Sequence, residues 1–155
     1  MKVELIVVGK TSFDHVKEGI EMYLKRLKHL ADFEYKEIAL KPKKMKDGEG
    51  LKREEGQEIL KAVGNSKLIL LDERGKAFDS VQFASYIDQF GISGTRSLSF
   101  VIGGAYGFSE EVYQKAAAKV SLSKMTFSHQ IVRLIALEQI YRAHTIIKGL
   151  PYHHA

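Results

Sequence analysis

The stretch SLSFVIGGAYGFSEEVYQK, residues 97–115, decides how this chain folds. Leu98–Ile102 is a short apolar run of the kind that forms a strand in a sheet covered on both faces. It runs straight into Gly103-Gly104-Ala105-Tyr106-Gly107, where the glycines let a backbone approach a ligand closely and expose its amide N–H groups. Ser109, followed by Glu110 and Glu111, then opens a helix, with acidic residues at the positive end of the helix dipole.

Working outward, the same alternation recurs. Val3–Val8 is apolar and β-branched, as a buried strand should be. Ser12 is expected to cap a helix with Phe13, Val16, Ile20, Leu24 and Leu27 at helical spacing. Phe33–Leu40 reads as a second strand, and Lys41–Gln57 as a charged loop leading into a helix that ends near Val63. Leu68–Leu71 is a third strand ending at Asp72-Glu73-Arg74-Gly75-Lys76. Ser80 is expected to cap a helix with Val81, Ala84 and Ile87 inward, stopped by Gly91. A short strand over Val120–Leu122 precedes a long helix starting near Ser128 or His129 and ending at Lys148, before Gly149 and Pro151.

Five strands alternating with helices predict one domain over residues 1–155: an α/β, parallel-type sheet with helices on both faces. Ligands on such sheets bind beyond the carboxyl ends of the strands, where strand order reverses. That selects the loops after Leu71, Ile102 and Leu122.

The chain has 155 residues, 45% hydrophobic and 28% charged, as in an ordinary globular protein. It has no cysteine, which excludes thiolate metal sites and Cys nucleophiles. Neither a membrane-spanning run nor a secretory leader is expected, so the predicted location is cytoplasmic. A net charge of +5 favours anionic partners such as nucleic acid. The glycine turn is not the GxGxxG of a dinucleotide fold, and it lacks the Gly-Lys-Ser/Thr ending of a phosphate loop. The segment Leu122-Ser123-Lys124-Met125-Thr126-Phe127 alternates apolar residues with hydroxyls, a pattern able to wrap a flat base. In the last helix His129 and Arg133 share one face, and Glu138 and Arg142 repeat that spacing. The helix is apolar nearly all round, which predicts burial against the sheet and a second subunit. Tyr152, His153 and His154 follow it. Adjacent histidines without further ligands make a poor metal site, so no metal is expected.

LDERGK at 71–76, FVIGGAYGF at 100–108, SLSKMTFSHQIVRLIALEQIYRA at 121–143 and GLPYHH at 149–154 together resemble the ribosomal RNA large subunit methyltransferase H family. These are small SPOUT, or trefoil-knot, methyltransferases, and the resemblance spans the whole chain. His144 departs from it, standing where the family usually has an aromatic residue; Glu73 and Arg74 are given no role.

The resemblance implies a homodimer with a C-terminal trefoil knot. It implies S-adenosyl-L-methionine as cofactor, held by Leu71, Gly103 and Leu122, Ser123, Lys124, Met125, Thr126 and Phe127. It implies rRNA processing: methyl transfer to N3 of a pseudouridine in 23S ribosomal RNA of the assembled ribosome. Arg142 is expected to favour the base anion, His153 or His129 to take its proton, and Tyr152 to stack on the base or order the tail. Lys41, Lys43, Lys44 and Lys46 are possible phosphate contacts. A non-catalytic ribosome- or RNA-binding α/β module, a flavodoxin-like nucleotide enzyme and a SPOUT methyltransferase with another RNA target are the alternatives.

Overall fold

A computed structural model describes residues 1–39 and 48–154, so the lysines at 41, 43, 44 and 46 lie outside the described residues. Ten elements alternate along the chain: β1 (Lys2–Val8), α1 (Asp14–Leu27), β2 (Phe33–Ile38), α2 (Gly48–Val63), β3 (Lys67–Ala77), α3 (Ser80–Ile92), β4 (Ser97–Ile102), α4 (Glu110–Lys115), β5 (Ala118–Ser121) and α5 (Ile131–Ile147). The five strands form one sheet in the order β2-β1-β4-β3-β5, and every pairing is parallel. Burial accounts for the sequence pattern. β1 and β4 are buried at nearly every position, and mostly apolar, because helices cover both faces. On one face α1, α3 and α5 pack around Leu5, Leu98, Phe100 and Leu137. On the other, α2 and α4 cover Ile6, Leu70 and Val101. No helix among the described residues is long and apolar enough to cross a membrane.

Several boundaries differ from the sequence reading, each for a local reason. Ser12 does not cap α1. Phe13 occupies the N-cap position without a side-chain bond, and the Ser12 N–H donates to Gln130 Oε1 at 2.7 Å. Asp79, not Ser80, caps α3, in a reciprocal capping box with Gln82. Phe83 takes the inward position in α3, whereas Val81 is 50% exposed. That helix also runs past Gly91 to Ile92, and the chain turns at Gly94, where φ is +88°. The third strand continues beyond Leu71. Leu71 and Lys76 both align with Val120, so Asp72–Gly75 bulge out between them. Gly75 is packed so tightly on the Lys119 backbone that a side chain there would overlap it. α5 ends in paired bonds from Gly149 N–H to Ile146 O and from Leu150 N–H to Thr145 O, with Gly149 at φ +69°.

β3 lies between β4 and β5, so the path that moves one way from β3 to β4 reverses on its way to β5. The carboxyl end of β3 is therefore the switch point, and its bulge places Asp72, Glu73 and Arg74 beyond the sheet edge.

Candidate active site

A cavity of about 510 Å³ opens at this switch point. Leu71 and the β3 bulge form one wall, the Gly103–Phe108 turn a second, and the loop from Leu122 to Phe127 a third; His129 and Val132 close the remaining side. The turn is tight. Gly107 N–H donates to Gly104 O at 3.1 Å, and Gly107 has φ +78°, a conformation that favours glycine. A side chain at Gly103 would press on the Phe108 ring at 3.0 Å. The 122–127 loop is braced from within: Ser121 Oγ donates to Ser123 O at 2.9 Å, and Met125 N–H donates to Ser123 Oγ at 2.9 Å. Thr126 Oγ1 reaches across the cavity to donate to Glu73 Oε2 at 3.2 Å.

Sequence reasoning gave Glu73 and Arg74 no role, yet the bulge carries a fixed charge cluster. Arg74 donates to both oxygens of Asp72 at 3.3 Å and to the Tyr113 hydroxyl, while its guanidinium stands 5.4 Å from the Tyr113 ring centre. Tyr113 in turn donates to Asp72 Oδ2 at 2.5 Å. Burial alone would raise the Asp72 carboxyl, but the bonds from Arg74 and Tyr113 outweigh it and hold it below its ordinary value. A second buried carboxyl lies behind the glycine turn. Glu55 is 4% exposed, its Oε1 has no hydrogen-bond partner, and a side chain at Gly104 would overlap it. Desolvation pushes this carboxyl upward.

Seven of the eight residues expected to hold a cofactor line the cavity: Leu71, Gly103, Leu122, Ser123, Met125, Thr126 and Phe127. Lys124 does not, and its side chain is exposed. Met125, at 76% exposure, stands on the rim. The four residues expected to handle the base divide. His129 lines the cavity, whereas Arg142, Tyr152 and His153 do not. From Val132 in the cavity wall to Arg142 is ten residues of α5, about 15 Å of helix.

At that far end Arg142 Nε and Nη2 both donate to Glu138 Oε1, which raises the guanidinium further. Arg142 also stands 4.7 Å from the Tyr152 ring centre, and its Nη1 donates to His153 Nδ1 at 3.2 Å. Because arginine can only donate, His153 carries its lone pair on Nδ1, and that pair is occupied by Arg142. Tyr152 meets Tyr141 edge-on at 4.8 Å, and Tyr141 contacts Tyr23. Burial, then the bond with Tyr152, pushes the Tyr23 hydroxyl up to about 12. His144 is buried, bonds the Ile140 carbonyl at 2.9 Å, and is held below its ordinary pKa by desolvation.

Arg133 was paired with His129 by spacing alone, and its position shows a different task. It is 3% exposed and donates to the carbonyls of Val8, Gly9 and His129 and to Thr11 Oγ1, all within 3.0 Å. It ties the end of β1 to the start of α5 and so fixes one side of the cavity. Among the described residues no group of three or more His, Asp or Glu could hold a metal ion.

The model of the family described as "Predicted SPOUT methyltransferase" matches residues 1–153. The chain belongs to the SPOUT methyltransferase family. Relatives named ribosomal RNA large subunit methyltransferase H are similar along the full length of this family member. That of Cytophaga hutchinsonii is 52% identical over 99% of this chain and 100% of its own. That of Christiangramia forsetii is 50% identical, and one from Bacteroides fragilis 47%, each over 99% of both chains. Among solved structures, Archaeoglobus fulgidus Nep1 bound to S-adenosylhomocysteine aligns with a TM-score of 0.44 at 13% identity, covering 85% of this chain and 70% of the other.

Proposed function

We propose that this chain methylates ribosomal RNA, transferring the methyl group of S-adenosyl-L-methionine to N3 of a pseudouridine in the 23S RNA of the assembled ribosome, in the cytoplasm. The observation that carries the reading is the cavity at the switch point of a chain that the SPOUT methyltransferase model matches over residues 1–153. Relatives 47% to 52% identical bear the rRNA methyltransferase name. The site suits the donor. Its volume lies in the range of small-molecule pockets. Leu71, Leu122, Phe127 and Val132 supply apolar walls for a flat base, while the glycine turn supplies backbone polar groups at close approach.

When bound, the sulfonium supplies a methyl group that is intrinsically electrophilic, so the chain's task is alignment and proton removal. Pseudouridine N3 must lose a proton to attack. Arg142 stabilises the resulting anion through its guanidinium, which keeps its charge at any working pH. Tyr152 stacks on the base or holds the tail in place. His129 lines the cavity, whereas the Nδ1 of His153 accepts from Arg142, so His129 is the better placed of the two to take the proton.

One chain does not complete this site, because Arg142 stands about 15 Å along α5 from Val132 in the cavity wall, with Tyr152 packed beside it. We infer that the protein acts as a homodimer, in which the tail of one subunit faces the cavity of the other. The half-buried apolar residues Ile131, Val132, Leu134 and Ile135 of α5 suit such an interface. The trefoil knot belongs to the same reading, with the C-terminal segment threading a loop.

Mapping methylated positions of 23S RNA in a deletion strain, with and without the restored gene, tests the function. Loss and recovery of one methyl at one pseudouridine is the expected result. An unchanged methylation map overturns it.

A further inference from the structure

The amino-terminal edge of the sheet lies opposite the cavity. There the starts of β3 and β4 and the ends of α3 and α4 enclose an open groove of about 580 Å³. Its charged lining residues are Lys67, Arg96 and Lys115, and none is acidic. All three are exposed, and none makes a side-chain ion pair or hydrogen bond among the described residues. Asn65 and Thr95 add uncharged donors.

Several cations elsewhere on the surface are neutralised by a carboxylate. Lys2, Lys36, Arg74 and Arg142 each have a carboxylate partner. The groove beside α2 mixes Lys52 and Arg53 with Glu49, Glu110 and Glu111. Three like charges gathered with no counter-charge repel one another, and an anion placed among them relieves that repulsion. Cations interspersed with hydroxyl and amide donors match the oxygens of a phosphodiester.

We propose that this groove grips the phosphate backbone of the substrate RNA at a point away from the methylated nucleotide; this rests on the RNA reading above. The six residues of β4 place the groove about 20 Å from the cavity. The target strand at the cavity and the phosphates at the groove are therefore different parts of one folded RNA.

The test is the triple variant Lys67→Gln, Arg96→Gln, Lys115→Gln, compared with the wild-type protein on ribosomes. Because the three side chains are exposed and unpaired, S-adenosylmethionine affinity and kcat at saturating ribosome are expected to hold within about twofold, with folding intact. The expected changes are a KM for ribosomes raised roughly tenfold or more and a salt dependence of log KM flattened by about 2–3 in slope, near one per lost contact. Unchanged KM and slope in an active variant overturn the groove while leaving the methyltransferase reading intact. If the variant loses KM on ribosomes but binds deproteinised RNA like the wild type, the groove meets ribosomal protein, and the phosphate assignment falls. A wild-type protein that binds S-adenosylmethionine yet methylates no ribosomal RNA overturns the underlying reading, and the proposal with it.

Discussion

The two ends of α5 differ in completeness. At its start, the cavity is walled by four segments of a single chain and locked by Arg133, the glycine turn and the Thr126–Glu73 bond. At its end, Arg142, Tyr152 and His153 form a tight cluster that does not line this cavity. Holding a methyl donor needs a shaped, pre-formed pocket, which one fold supplies at its switch point. Activating a base on a large RNA needs charged groups brought to that pocket from elsewhere. Under the proposed function the contrast is a division of labour: one subunit's sheet edge for the donor, another subunit's tail for the acceptor.

The largest expected effect breaks the far end alone. Arg142→Ala should lower kcat by about 10²–10³-fold, the range for a group acting on charge in the transition state, while S-adenosylmethionine affinity stays within about threefold. Calorimetry with the donor beside single-turnover kinetics separates the two; a matching loss of donor affinity would place Arg142 in the cavity after all. Breaking the near end acts on stability. Arg133→Met leaves the Val8 and Gly9 carbonyls without their buried donor and should cost about 3 kcal/mol in urea unfolding. A cost below about 1 kcal/mol would show that Arg133 does not lock the cavity.

The smallest effect concerns Glu55, behind the glycine turn. Its carboxyl is raised by burial, so its contribution to stability is full below the ordinary carboxylate pKa and declines as pH rises through the folded value. Glu55→Gln should therefore be more stable than the wild type at pH 8, by about 1 kcal/mol, the low end for an unpartnered buried polar group. That advantage should vanish below pH 4. Urea melts at several pH values check this, and an advantage independent of pH would mean that ionisation of Glu55 is not the cause.

Most of the fold was legible because its signals are local. Leu98–Ile102 followed by the glycine turn and Ser109 reads as strand, turn and helix from adjacent residues, and parallel pairing follows from the alternation. The continuation of β3 past Leu71 was not legible, since the bulge depends on Gly75 meeting the Lys119 backbone from another strand. The bulge in turn creates the Asp72–Arg74–Tyr113 cluster, which is why no spacing rule pointed to it. Spacing placed Arg133 beside His129, whose carbonyl it does meet, but could not reach its further partners, the carbonyls at the end of β1. The cavity-lining set was legible because topology and family resemblance selected the same loops. The separation of Arg142 from that cavity had a signal within reach, as helix rise alone sets ten residues about 15 Å apart.

The shared site is tested most directly by mixing two inactive proteins. Gly107→Val puts a β-branched residue at φ +78°, where nothing lies within 4 Å of the added carbon, so it distorts the turn without overfilling the cavity. Arg142→Ala leaves the cavity whole. Co-expressed and purified together, the two should form mixed dimers that each carry one intact composite site, with activity near roughly a quarter of wild type. A mixture no more active than its two parents would contradict the account, because each chain would then have to build its whole site alone.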